Sequence, residues 1–317
     1  MNVCLIGAGL IGSELERKAK ERGWTIHCVV RSDGVYRYGT KIDSIDNYHL
    51  YVPSSDVGFL AIPTKDDGVV AYNYLRMFLM RDKPIITCEK GALSNYFREV
   101  EHHLQTIGYS ATVGGGSRLL RYAEEIVTSA TTEIHAVING TLNYVLSELS
   151  KKRTLNDILS EAHQKGYTEP GATEPLDVLN AEATGDIPRK AVILFNVCRL
   201  TKDTLQLRHI PVSPLGEKEY NALVADAPNR RYIVSITKGP RDEDVIGGFC
   251  YRVDDWVLSA GFKDISSHSI YKKLLLSNVD NGIVIKNNTG VYTLSGPGAG
   301  PGPTTDAMIA DAVRLCK

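Results

Sequence analysis

The sequence predicts an α/β protein with an N-terminal Rossmann-type parallel sheet domain and a second, α+β domain. Three observations carry this. The chain opens on NVCLIGAGLIG, an apolar strand run into a glycine turn and a helical pattern. Short apolar runs and helical repeats alternate through the first third. From about Glu133 the rhythm changes to helices and separated strands.

In order, residues 3–6 read as a strand, and the pattern after the glycine turn reads as a helix to about Arg22. Residues 25–30 and 58–62 read as strands, separated by a connection without a clear period. Residues 69–80 read as a helix, 84–87 as a strand, 96–107 as a helix and 110–113 as a strand. Alternation at this spacing points to a parallel sheet covered on both faces. A strand over 133–138 then leads into NGTLNY and a helix. Thr154 opens the next helix, with Asp157 placed to complete a capping box. Strands over 232–237 and 245–252 follow. GPGAGPGPTT admits no regular structure and precedes a terminal helix from about Thr305 to Leu315. That helix has few partners nearby in sequence, so it is expected to return to the first domain. The expected organisation is a dinucleotide-binding domain over 1–131, joined by 296–317, and a substrate-binding, catalytic and dimerisation domain over 132–295.

Composition narrows the function. The 317 residues suit two domains, and 43% hydrophobic with 23% charged residues is ordinary for a globular protein. A net charge of −1 offers no basic field for nucleic acid and no polybasic segment for a membrane surface. No apolar run reaches the length of a membrane span. The six cysteines are widely spaced without a CxxC pair, and the first residues lack a signal peptide's charged region. A reduced, cytoplasmic protein without a metal site is expected.

Gly7, Gly9 and Gly12 form G-x-G-x-x-G between the first strand and helix. Glycine permits the tight turn and the close approach of a pyrophosphate, held by free N–H groups at the helix start. Leu10 and Ile11 belong to the same candidate nucleotide site, with Pro63 and Thr87 at later strand ends. NAD-specific sites place an acid at the end of the second strand, whereas arginine accommodates a 2′-phosphate. This chain has Arg31 and Ser32 there, Asp33 comes too late, and Lys41 offers a second cation. NADP is favoured and NAD is possible. The plain alternative makes Arg31 a solvated strand end.

Asp186 and Lys190 stand four apart and share one helix face. Pro188 suits only a first helical turn, which puts Asp186 near the N-cap. Residues 191–195 are too apolar for a surface helix. Lys190 would then emerge from a buried helix into a cleft lined by Glu169, Glu174, Asp177 and Glu182. A partly desolvated lysine among carboxylates exchanges protons. An ordinary ion pair at a helix start is the alternative.

GAGLIG, TCEKGALS, NGTLNYVL, GYTEP, GDIPRKA and GPGAGPGPT together resemble the homoserine dehydrogenase family over nearly the whole chain. The resemblance implies reversible reduction of L-aspartate 4-semialdehyde to L-homoserine with a nicotinamide cofactor. It implies that Glu169 holds the substrate ammonium, beside Tyr167 in GYTEP. Asp186 would lie beside the reacting oxygen, and Lys190 would give it a proton. Lys90 would stand between cofactor and substrate, and Gly296 and Gly298 would belong to a loop closing over the cofactor. A small-molecule substrate and a homodimer are expected. The chain departs from the family pattern in three places. Glu89 replaces an asparagine. Ser110 replaces a glutamate of the monovalent-cation site. The stretch between Glu169 and Asp186 is longer than usual, so the middle acid is Asp177 or Glu174, with Asp177 preferred. Two rival readings are a dehydrogenase for another amino acid or amino aldehyde, and a weak dinucleotide-binding redox sensor. A sensor would need neither Lys90 nor Lys190.

Overall fold

A computed structural model describes residues 1–165, 167, 174–239 and 246–317. They form two compact units, Met1–Gly116 with Pro301–Lys317, and Ser117–Gly300. Among the described residues no helix is long and apolar enough to cross a membrane.

The first unit is built on seven strands: β1 (Asn2–Ile6), β2 (Thr25–Arg31), β3 (Gly34–Arg37), β4 (Thr40–Asp43), β5 (Val57–Leu60), β6 (Ile85–Thr87) and β7 (Ile107–Gly108). Their order is β4-β3-β2-β1-β5-β6-β7. β2-β1-β5-β6-β7 run parallel, and β3 and β4 are antiparallel additions at one edge. The chain thus leaves β1 with β2 on one side and β5 on the other. In open parallel sheets a crevice for ligands forms at such a switch point. The C-terminal helix Pro301–Leu315 completes this unit's core with Ala307, Met308, Ile309 and Ala312 against Leu5, Leu15 and Phe59.

Several elements differ from those the sequence predicts. The stretch without a clear period is the β3–β4 hairpin followed by a 3-10 turn over Ile45–Leu50. Only Gly34 and Val35 of it are buried, so no apolar alternation marks it. The helix read over 96–107 is a short helix Phe97–Val100 and a 3-10 run Glu101–Thr106. The strand read over 110–113 is a 3-10 turn, Ser110–Thr112. Its backbone is captured by the terminal helix: Ser110 N and Oγ donate to the two carboxylate oxygens of Asp311 at 2.9 and 2.8 Å.

The second unit carries six antiparallel strands: β8 (Thr131–Val137), β9 (Arg230–Lys238), β10 (Ile246–Val253), β11 (Trp256–Asp264), β12 (Asp280–Asn287) and β13 (Gly290–Pro297). The order is β10-β11-β9-β8-β12-β13. The helix Leu119–Ile126, read as part of the first domain, lies in this unit and packs on the helix Ile187–Cys198. Thr154 does cap the helix Leu155–Gln164, accepting from Asp157 N. The box is not reciprocal, however. The Asp157 carboxylate accepts from the Thr154 hydroxyl at 2.6 Å instead of from its backbone.

Candidate active site

The glycine turn in the first unit has a separate reason for each glycine. Gly7 has φ +100°, and a Cβ there would stand 2.2 Å from the Ala61 carbonyl oxygen. A Cβ on Gly12 would stand 2.1 Å from the Gly7 carbonyl oxygen, so it closes helix against turn. A Cβ on Gly9 would meet nothing within 4 Å. Fold packing explains the first two glycines but not Gly9, which leaves open space beside the backbone. The helix Leu10–Glu21 starts there with no side-chain cap and no acid in its first turn. Its N–H groups are therefore available to an anion. Leu10 is exposed and Ile11 half-buried.

Arg31 ends β2, opposite Gly34, and its guanidinium lies 4.4 Å from the Tyr36 ring centroid. Tyr36 donates to Asp33, and that bond, reinforced by nearby Lys41 and Arg31, lowers the Asp33 pKa. Lys41 pairs with Tyr36 across β3–β4, its stem beside Gly34. Arg31, Ser32 and Lys41 are exposed at one strand end, with Asp33 engaged by Tyr36. Pro63 is exposed after β5. Thr87 is fully buried and accepts from Glu89 N at 3.0 Å. Glu89 is buried too, and its carboxylate accepts from Thr64 and from the backbone N–H groups of Gly91 and Ala92. It satisfies the start of the helix Gly91–Asn95 and fixes half-buried Lys90 just before it.

In the second unit the lysine and acids meet inside a continuous helix. The helix Pro175–Ala181 passes through a π-helical turn, Glu182–Asp186, into Ile187–Cys198. Asp186 is helical (φ −71°, ψ −49°) and is not a capping residue, as the sequence reading had it. Pro188 lacks an N–H, and a π turn is one way a helix accommodates a missing hydrogen bond. Lys190 Nζ lies 2.6 Å from Asp186 Oδ2 and donates to the Ile138 carbonyl at 3.0 Å. The two side chains are 13% and 8% exposed, so this pair is largely desolvated. Asn139 Nδ2 donates to Asp186 Oδ2 at 2.9 Å and to Glu182 Oε2 at 2.6 Å. Its Oδ1 accepts from Leu142 N and caps the helix Gly140–Leu149.

Of this cluster, Asn139 is not expected from the sequence, and Glu182 is expected only as one of several acids lining the cleft. Asn139 has a sequence signal, an asparagine immediately before a helix, but its long-range bonds have none. Asp177 lies exposed in the first turn of its helix, while Glu182 is buried. The acid that joins Asp186 is therefore Glu182, and Glu174 is exposed as well. Half-buried Tyr167 accepts from the Thr141 hydroxyl through its carbonyl and meets the Tyr144 ring edge-on at 5.4 Å. Glu169 lies outside the described residues. Gly296 ends near Ser117, and Gly298 packs on Asn281.

A second polar junction lies on the sheet. Glu133, His135 and His268 bring ligand-type atoms within 4.8 Å of one another. Glu133 accepts from Lys286, which balances its charge, and both imidazoles face its Oε2 at 3.3 and 3.4 Å. Burial pushes His135 down to about 4.

A family model described as homoserine dehydrogenase matches residues 120–313. An NAD(+)-dependent homoserine dehydrogenase of Pseudomonas canavaninivorans is 26% identical over 258 residues, 78% of this chain and 67% of its own length. A homoserine dehydrogenase structure from Thermoplasma acidophilum is similar at a TM-score of 0.70 and 22% identity, covering 99% of this chain and 98% of that one. A hyperthermophilic archaeal homoserine dehydrogenase in complex with NADPH gives 0.68 at 19% identity, covering 99% and 97%. These structural likenesses concern the fold. The family match spans more than half of the sequence, and the chain belongs to the homoserine dehydrogenase family, oxidoreductases acting on a CH–OH group.

Proposed function

We propose that this chain interconverts L-homoserine and L-aspartate 4-semialdehyde with a nicotinamide nucleotide, NADP in preference to NAD. The observation that carries the reading is the desolvated Lys190–Asp186 pair, tied through Asn139 to Glu182. The nucleotide supplies hydride exchange when bound. The open space at Gly9 and the uncapped helix start suit its pyrophosphate, with Gly7, Leu10, Ile11 and Gly12 shaping the turn. Arg31, with Lys41, takes the 2′-phosphate. Pro63 and Thr87 border the rest at the strand ends of the first unit, and the family resemblance adds Gly296 and Gly298.

Lys190 delivers a proton to the aldehyde oxygen during reduction and takes it back during oxidation. Asp186 holds the ammonium in place through their 2.6 Å contact, and the Ile138 carbonyl fixes its direction. A cation waiting where the oxygen gains charge stabilises the transition state without reorganisation. Glu182 offers its carboxylate to the substrate ammonium in place of Asp177, and the family resemblance assigns the same ammonium to Glu169, with Tyr167 of GYTEP. Lys90 adds a second cation. The expectation of a homodimer rests on the family resemblance, and that of a cytoplasmic protein on the widely spaced cysteines.

The test is reduction of NADP and NAD by purified protein with L-homoserine, beside a panel of other amino acids, with light scattering for the dimer. Turnover with another amino acid but none with L-homoserine would overturn the substrate assignment.

A further inference from the structure

We propose that Asn281 is a positioning residue for the reaction, acting through the turn at Gly298; the inference rests on the nucleotide role given to that turn above. Asn281 lies on β12, opposite Gly296 of β13, and is fully buried. Among the described residues neither its Oδ1 nor its Nδ2 has a hydrogen-bond partner. A buried carboxamide with donor and acceptor both unmet destabilises the fold, and an apolar side chain of the same shape would not. Positions that break a local rule in this way are expected where function compensates.

Its neighbours identify the function it serves. A Cβ on Gly298 would stand 2.2 Å from Asn281 Cγ and 2.4 Å from its Oδ1. The carboxamide is thus packed against the bare backbone of Gly298, and glycine there is required by Asn281. Gly298 is absent from the positive-φ glycines, so backbone conformation gives it no other reason. Gly298 N donates to the Val279 carbonyl at 3.1 Å, which closes the turn back over the start of β12. On its other side, the β12–β8 register pairs the next residue, Gly282, with Val137, which ends β8 just before Ile138. Ile138 carries the carbonyl that accepts from Lys190. Asn281 therefore packs on the Gly298 turn and, in its strand, is next to the residue paired with the neighbour of the peptide that directs the lysine. Its amide sets the seat of that turn while its unmet donor and acceptor remain available to polar groups brought in on closure.

Asn281→Leu keeps a branched four-atom side chain and removes both polar atoms. Melting temperature, NADPH affinity by fluorescence, and kcat and KM for L-homoserine are measured beside the unaltered chain. The expected result is a melting temperature at or above that of the unaltered chain with an unchanged KM for homoserine. NADPH binding weakens and kcat falls by about 10²-fold, the scale of a small misplacement of reacting groups. A second pair covers a Leu variant that fails to fold. Gly298→Ala alone drives a methyl into Asn281 and lowers stability, and adding Asn281→Ala frees that space. A double variant that regains stability but not NADPH affinity or kcat supports the proposal. Recovery of all three, or a folded Asn281→Leu protein with unaltered affinity and kcat, overturns it. A protein that binds NADPH but turns over no homoserine defeats the functional reading alone, since NADPH affinity still reads Asn281.

Discussion

Lys190 Nζ is held at two points, 2.6 Å from Asp186 Oδ2 and 3.0 Å from the Ile138 carbonyl oxygen. A largely buried ammonium with a carboxylate and a peptide carbonyl as partners has its direction fixed before any substrate arrives. This preorganisation distinguishes it from a surface i, i+4 pair, which would be solvated and loosely held.

Lys190→Ala is therefore expected to lower kcat by about 10²–10⁴-fold, the range for a positioned proton donor. Nucleotide binding should persist, because the glycine turn belongs to the other unit. Fluorescence titration with NADPH separates the two effects. A variant with the original kcat for homoserine oxidation would show that the pair is structural.

Glu182→Gln is expected to raise the KM for L-homoserine at least tenfold, roughly the loss of one charge-assisted hydrogen bond. Glutamine keeps the size of the side chain beside Asn139, so the melting temperature should change little. Asp177→Asn, at an exposed position, should alter KM far less. A larger effect at Asp177 than at Glu182 would return the middle-acid role to Asp177.

The contrast between these two acids shows what the sequence makes legible. The parallel strands are readable because β1, β2 and β5 are apolar runs bounded by glycine or polar turns. Lys190 with Asp186 is readable because a spacing of four fixes one helix face. The preference for Glu182 among the acids of the cleft is not, because Pro175 and Gly185 look like breaks, whereas the helix runs through Gly185 as a π turn. Residues 110–113 mislead for a different reason. Their conformation is set by Asp311, some two hundred positions away, and no local pattern carries that contact. The β3–β4 hairpin is short and buries only Gly34 and Val35, too little to show a strand's alternation.

Arg31→Ala should weaken NADPH binding about tenfold or more while leaving NADH binding nearly unchanged. The Arg31 guanidinium is stacked on Tyr36, which orients the charge without neutralising it. Asp33, the nearest acid, is engaged by the Tyr36 hydroxyl. Equal losses for both nucleotides would make Arg31 a residue of the hairpin and not of the 2′-phosphate site.

The buried junction at His135 should make the fold sensitive to mild acid. His135 Nδ1 faces Ser235 of β9 and its Nε2 faces Glu133 of β8, while Lys263 of β11 and His268 and Tyr271 of the covering segment pack around it. Lys286 of β12 is paired to Glu133. Burial, then the Lys263 charge, hold His135 down to about 4 from the ordinary 6.5, against the pull of Glu133. Between those two values the unfolded chain binds a proton that the folded chain refuses, so stability rises with pH across the window and falls as pH drops through it. The loss approaches about 3 kcal/mol at the lower end. Glu133 contributes in the same direction but lower down, since its pKa is lowered from 4.5 by Lys286 and His135 and its stabilisation disappears only as pH falls through that reduced value. Urea unfolding at pH 7 and pH 5 isolates the histidine. The original chain should lose stability over that interval, and His135→Gln should lose markedly less. A midpoint that does not move between pH 7 and pH 5 in the original chain would show that His135 titrates normally in the fold.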